Sequence, residues 1–193
     1  YVDLAIGGPQ NRNRIVEVTE VPALVPPDAE AYATYFRFRD DLKKHVEETG
    51  SVAGYRGPCY ADFLPVDIDA DDLEEARTRL VRLLGRLETD FGVPFDRLAV
   101  YFSGAKGFHV YVPTTLFGGV TDHWSVTPGF RLPEIWRAIA RDLAGDVEID
   151  LNVYDRTRLL RLPGSRHPKT GLYKRLLDRD ALGLPLDALR ALA

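Results

Sequence analysis

Apolar residues recur along the chain with two different periods, and these separate candidate helices from candidate strands. The clearest helical stripe is Leu73, Ala76, Leu80, Leu83, Leu84 and Leu87, with the arginines of the same segment lying elsewhere. Steps of three and four put those residues on one face. Asp71 or Asp72 can cap the start and Gly92 the end, which predicts a helix from about Leu73 to Phe91. A second helix is expected over Leu132 to Leu143, with Trp136 on its apolar side. Alternating patterns predict strands at Tyr60–Asp69, Leu98–Phe102 and Phe108–Val112. The last two are joined by the turn Ser103–Gly107 and should run antiparallel. Leu159–Leu162 reads as a short strand ended by Pro163-Gly164.

Elsewhere the pattern is weaker. Residues 1–27 read as irregular or strand-like, with Pro9, Pro22, Pro26 and Pro27 as breakers. Pro27-Asp28 then opens an expected helix from about Ala29 to Glu48, with Tyr32, Tyr35, Phe36 and Leu42 near one face. Residues 114–130 read as loop, and Asp180 to Leu192 as a terminal helix interrupted near Pro185. There is no internal repeat.

A chain of 193 residues suits one domain or two tightly joined lobes, and 45% hydrophobic residues suffice for a real core. No apolar run is long enough to predict a membrane span. Tyr1-Val2-Asp3-Leu4 begins no basic-then-apolar segment, so no signal peptide is expected. The single cysteine, Cys59, excludes an internal disulfide and a four-cysteine zinc ribbon and fits an intracellular, reducing setting. A net charge of −4 speaks against a generic nucleic-acid coat, yet it conceals an asymmetry. Asp62 to Glu75 is acidic, whereas Arg156 to Arg175 carries Arg158, Arg161, Arg166, Lys169 and Lys174 with no acid between. An acidic cluster that could hold metal, together with a basic one that could hold phosphate, is what a nucleotidyl transferase needs.

Three constellations sharpen this reading. In Asp67-Ile68-Asp69, strand alternation sets both carboxylates on one face while Val66 and Ile68 face the core. Paired carboxylates repel unless neutralised, and magnesium or manganese does so with hard oxygen ligands. Taken alone, the acids also fit a solvated strand end with helix caps. In Ser103-Gly104-Ala105-Lys106-Gly107-Phe108-His109, two glycines flank a lysine between strands, which permits left-handed angles and close approach of a phosphate. If Phe108 is in the core, His109 is in the site; a plain hairpin with a satisfied histidine is the bland alternative. The third constellation is Asp150 followed by Arg158-Leu159-Leu160-Arg161-Leu162-Pro163-Gly164-Ser165-Arg166-His167-Pro168-Lys169-Thr170-Gly171. So dense a cluster of cations repels itself without an anionic partner.

The order of these motifs resembles the archaeo-eukaryotic primase superfamily: replicative primase small subunits, primase-polymerases and the polymerase domain of bacterial end-joining ligases. The matching residues are Asp67 and Asp69; Ser103, Lys106 and His109; Ile149-Asp150; and the basic stretch from Arg161 to Gly171. The resemblance covers about residues 58–175, which it marks as a catalytic core; residues 1–57 would be an N-terminal part of that core, and 176–193 a C-terminal helical segment. It implies a two-lobed α/β (α+β) fold with an RRM-like antiparallel sheet and flanking helices, the site lying between the lobes. Asp67, Asp69 and Asp150 would bind two divalent metals, Mg2+ or Mn2+, with Asp155 second choice for the third acid. Ser103, Lys106, His109, Arg161, Ser165, His167 and Lys169 would cradle the triphosphate of an NTP or dNTP, and single-stranded or primed DNA would serve as template. The resemblance leaves room for a fused or associated helicase, nuclease or accessory primase domain. Many relatives carry a zinc module that one cysteine cannot build, so starting a new primer is not implied. Two other functions fit parts of the pattern. A non-catalytic RRM-like nucleic-acid-binding module would stack bases on Tyr101, Phe102, Phe108 or Tyr111. A DNA-cleaving replication initiator would need a His-x-His pair, which none of the four histidines forms.

Overall fold

The computed structural model describes residues 1–117 and 129–193. Eight strands among them form two four-stranded sheets. The first contains β1 (Val2–Ile6), β2 (Arg14–Val16), β3 (Ala31–Thr34) and β7 (Leu159–Arg161), in the order β2-β1-β3-β7. The second contains β4 (Phe63–Asp69), β5 (Ala99–Phe102), β6 (Gly107–Pro113) and β8 (Arg175–Leu177), in the order β4-β6-β5-β8. All pairings are antiparallel. The helices are α1 (Val21–Leu24), α2 (Asp40–Thr49), α3 (Leu73–Phe91), α4 (Leu132–Ala144) and α5 (Leu186–Ala191).

The α/β two-lobed architecture expected from the sequence is the one observed. The run β4–α3–β5–β6–α4 builds the RRM-like half, with α3 and α4 packed on one face of the sheet. Leu73, Ala76, Leu80, Leu83 and Leu87 of α3 are all buried there. Complete burial stabilises by about 2 kcal/mol per leucine. Asp72 caps α3 by accepting from the Glu74 amide, and Gly92 ends it with left-handed angles. From the same face of β4 and β6, Leu64, Val66, Ile68, Phe108 and Val110 enter this core. Trp136 of α4 joins them and donates its indole N–H to the Phe63 carbonyl at 3.3 Å. Pro65 is tolerated within β4 because that strand is a sheet edge.

One expected element is different. The helix predicted from Ala29 to Glu48 is instead strand β3 followed by α2, which starts only at Asp40. Asp28 takes a left-handed φ of 61° and turns the chain rather than capping a helix. Ala31–Thr34 then pairs with β1 on one side and β7 on the other, and this double pairing overrides the helical spacing of the aromatics. Asp40 and Asp41 lie in the first turn of α2, where the helix dipole favours acids. The terminal helix is divided as expected, into a 3-10 turn at Asp180–Gly183 and α5 after Pro185. The expected loop 114–130 includes 3-10 turns at Thr114–Phe117 and from Gly129; its middle lies outside the described residues. Among the described residues no helix is long and apolar enough to cross a membrane.

Candidate active site

The carboxylates stand on the face of the second sheet opposite its helices. Because β4 alternates, Val66 and Ile68 are fully buried and Asp67 and Asp69 point the other way. Across the strands, Asp67 pairs with His109, which pairs in turn with Tyr101; Asp69 pairs with Gly107. Asp150 joins them through the backbone, its N–H donating to the Asp67 carbonyl at 2.9 Å. Its side chain accepts from the Asn152 amide at 2.8 Å and caps the 3-10 turn Leu151–Tyr154. Tyr154 pins that turn to β4 by donating to the Pro65 carbonyl at 2.5 Å.

Asp67 is electrostatically frustrated. Its Oδ1 is buried without a hydrogen-bond partner, and His109 Nε2 stands 3.5 Å away. Burial first, then the charges of Asp69 and Asp150, push the Asp67 carboxyl up to about 7. Asp69 is also raised, by burial, against the opposing pull of Lys106. A Cβ on Gly107 would collide with Asp69 Oδ1 and the Ile68 carbonyl, so glycine here makes room for the carboxylate. That differs from the conformational role expected of both glycines. Only Gly104 is left-handed, with φ 80°, and a Cβ there would lie 3.1 Å from the Leu172 and Tyr173 carbonyls.

The turn and the basic segment are laced together. Ser103 Oγ accepts from the amides of Ala105 at 3.3 Å and Gly107 at 3.2 Å. Arg161 reaches from β7 and donates to the Ser103 carbonyl and, at 3.3 Å, to the Ser165 carbonyl. Ser165 Oγ donates to the Leu162 carbonyl at 2.6 Å and the Ala31 carbonyl at 3.2 Å. Thr170 Oγ1 donates to the Gly104 carbonyl at 2.6 Å. His167 Nδ1 accepts from the amides of Lys169 and Thr170, both at 3.3 Å, which leaves Nε2 as the outward atom of the ring. Lys106 and Lys169 are exposed, with Lys106 Nζ 3.4 Å from Asp71. Burial, then Lys174 and Arg161, hold His109 well below the usual histidine range, so its imidazole is neutral at neutral pH.

Thus Asp67, Asp69, Asp150, His109, Lys106, Arg161 and His167 lie within reach of one another's charge. Asp155 stands apart: its carboxylate closes a turn by accepting from the Thr157 amide at 3.0 Å and hydroxyl at 3.2 Å. Sequence reasoning missed Lys174 as a site residue. It is 1% exposed, donates to Tyr111 Oη at 2.5 Å and the Arg161 carbonyl at 2.9 Å, and lies over the rings of Tyr101 and Tyr111. The only signal for it was its membership of the cation-rich segment. Of the aromatics considered for base stacking, Phe102 and Phe108 are fully buried in the helix-side core and Tyr111 lies beneath Lys174. Among the described residues no group of three His, Cys, Asp or Glu side chains is gathered as a ready-made metal centre. Asp67, Asp69 and Asp150 nonetheless fit a hard cation in donor chemistry, and the orphaned Asp67 oxygen has the deficit such a cation would satisfy.

Fold and site together define an arrangement: a two-lobed α/β core in which clustered carboxylates face a basic loop. The comparisons with known proteins agree with the family resemblance read from the motifs. The chain is similar to DNA primase small subunit PriS of Halorubrum lacusprofundi, with 51% identity over 57 residues, covering 27% of this chain and 14% of that protein. PriS of Cenarchaeum symbiosum is 39% identical over 64 residues, covering 33% and 17%. PriS of Thermoplasma acidophilum is 24% identical over a longer match, covering 78% of this chain and 62% of that protein. The chain therefore spans less than two thirds of these relatives. Among solved structures, the polymerase domain from Mycobacterium tuberculosis Ligase D in complex with DNA aligns with a TM-score of 0.44 and 16% identity, covering 84% of this chain and 58% of that one. No family model matches the chain.

Proposed function

We propose that this chain is the catalytic core of a template-directed nucleotidyltransferase, a DNA primase or a DNA-dependent polymerase, joining NTPs or dNTPs on single-stranded or primed DNA in an intracellular setting. The observation that carries this reading is the Asp67 carboxylate, buried, unpartnered at Oδ1 and flanked by two further acids. Such an arrangement is unfavourable by itself and becomes favourable when cations neutralise it. Asp67, Asp69 and Asp150 would hold two Mg2+ or Mn2+ ions. Bound there, a divalent cation supplies the charge that acidifies an attacking hydroxyl and neutralises a departing pyrophosphate.

The remaining roles belong to the chain itself. Neutral His109 can donate one hydrogen bond to a phosphate oxygen without adding charge beside Lys174 and Arg161. His167 can present Nε2 outward, while exposed Lys106 and Lys169 meet the triphosphate as point charges. Ser103, Ser165 and Arg161 act mainly by holding the two loops in register. The test is incorporation of labelled NTPs and dNTPs on primed single-stranded DNA with Mg2+ or Mn2+. Asp67→Ala and Asp69→Ala should abolish product while leaving the fold intact. A folded Asp67→Ala protein with full activity would sink the assignment.

A further inference from the structure

On the α4 side of the molecule, away from the triphosphate loops, runs a second concavity of about 760 Å³. Arg56, Arg137, Arg141 and Arg156 line it, with the acids Glu134 and Asp155. Arg156 is engaged in the fold, donating to the Gly57 and Phe130 carbonyls. Arg56, Arg137 and Arg141 are exposed and make no ion pair or side-chain hydrogen bond among the described residues. Arg137 and Arg141 lie one turn apart on α4, about 6 Å along its axis. Phe130 stands at the same concavity and is about half exposed (48%).

A neighbouring concavity of about 420 Å³ shares Asp155 and Thr157 with the first and continues to Tyr32 and Arg158. Arg158 is exposed and near enough for its charge to act on Asp67. The furrow also touches Tyr154, whose hydroxyl is bonded to the strand carrying Asp67. Its one acid at the junction, Asp155, is already occupied by Thr157.

We propose that this furrow is a track for a single-stranded nucleic acid, phosphates on Arg137, Arg141, Arg56 and Arg158 and a base against Phe130, leading the strand toward the carboxylate site. Unpaired guanidiniums beside an exposed aromatic ring on a chain of net charge −4 are complementary to a single strand in both charge and stacking. The assignment rests on the nucleotidyltransferase reading for its purpose, but not for its test.

The experiment is fluorescence anisotropy of a short labelled oligodeoxythymidylate, titrated in EDTA at several salt concentrations. Arg137→Glu/Arg141→Glu should weaken binding about 10-fold or more and flatten the salt dependence by about 0.7 for each phosphate contact removed. Arg137→Gln/Arg141→Gln, a milder pair on the exposed helix face, should do the same to a smaller extent. Arg82→Glu on α3, which is paired with Asp146 outside the furrow, should leave affinity within about twofold, as expected for a charge change away from the track. Unchanged affinity in both α4 variants overturns the proposal. So does an equal loss in Arg82→Glu, which would reduce the effect to net charge, or a preference for duplex over single strand. Because the titration is metal-free and measures no synthesis, strand binding that survives in an inactive protein leaves the track standing while the nucleotidyltransferase reading falls. In an active protein, the α4 variants should raise the KM for template and leave the KM for nucleotide unchanged.

Discussion

Replacing Asp67 by Asn should stabilise this protein while abolishing the nucleotidyl transfer proposed for it. A carboxyl raised from 3.8 to about 7 costs the folded state about 4 kcal/mol once ionised, at ~1.4 kcal/mol per pH unit. The sign follows from proton binding. Below about pH 4 the residue is protonated in both states and the cost is absent. Between about 4 and 7 the unfolded chain has released the proton and the folded one has kept it, so stability falls as pH rises. Above about 7 the full cost is present. Asp69 and Asp150 share the repulsion, so a single substitution recovers part of it, about 2–4 kcal/mol at pH 8. For a chain of this length that raises Tm by on the order of 5–10 °C. The assay is urea denaturation of both proteins in EDTA at pH 5 and pH 8. The native protein should lose stability between the two, and Asp67→Asn should lose much less. Added Mn2+ should then stabilise the native protein and not the variant. Equal pH dependence in the two proteins would refute the claim that Asp67 is held in an unfavourable charged state.

Other perturbations follow from the same geometry. Gly107→Ala should cost about 1–3 kcal/mol in urea titrations and lower incorporation, because its Cβ displaces the Asp69 carboxylate; a fully active, equally stable variant would count against that packing. Asp150→Asn should lower incorporation at least ~100-fold, as expected for loss of a charge-stabilising group, and Asp155→Asn should not, since Asp155 is committed to Thr157; the reverse result in steady-state assays would move the third acid to Asp155. Burial and then Arg161 hold Lys174 well below the usual lysine range, yet in its protonated form it opposes the rise of Asp67, so Lys174→Met should make the carboxyl titrate still higher by NMR; an unchanged midpoint would show that Lys174 carries no charge there. Leu83→Ala should destabilise by about 2–5 kcal/mol through a cavity beneath α3, measured by urea unfolding.

What could be read from the sequence follows the distance over which each decision is made. The stripe of α3, its Asp72 cap and its Gly92 stop are all local, and that helix appears between the expected residues. The β5–β6 hairpin is equally local. Strand β3 is not: Ala31–Thr34 is a strand because β1 and β7 lie on either side of it, and Tyr32, Tyr35 and Phe36 give no hint of those partners. The site divides along the same line. Alternation in one strand suffices to put Asp67 and Asp69 on one face, and Phe108 in the core requires His109 to turn toward them. Lys174 is set by two long-range decisions, the pairing of β8 with β5 and the crossing of Arg161 between the sheets, so its sequence neighbours could not reveal it. That crossing has a physical consequence. Burial, with Lys174 and Arg161, holds His109 neutral, while Lys174 and Arg158 draw Asp67 toward its ionised form against burial and its neighbouring acids. Lys174 is the one residue common to both effects, and it acts from a buried position behind the acids, whereas the lysines that stand out in the sequence, Lys106 and Lys169, lie exposed in front of them.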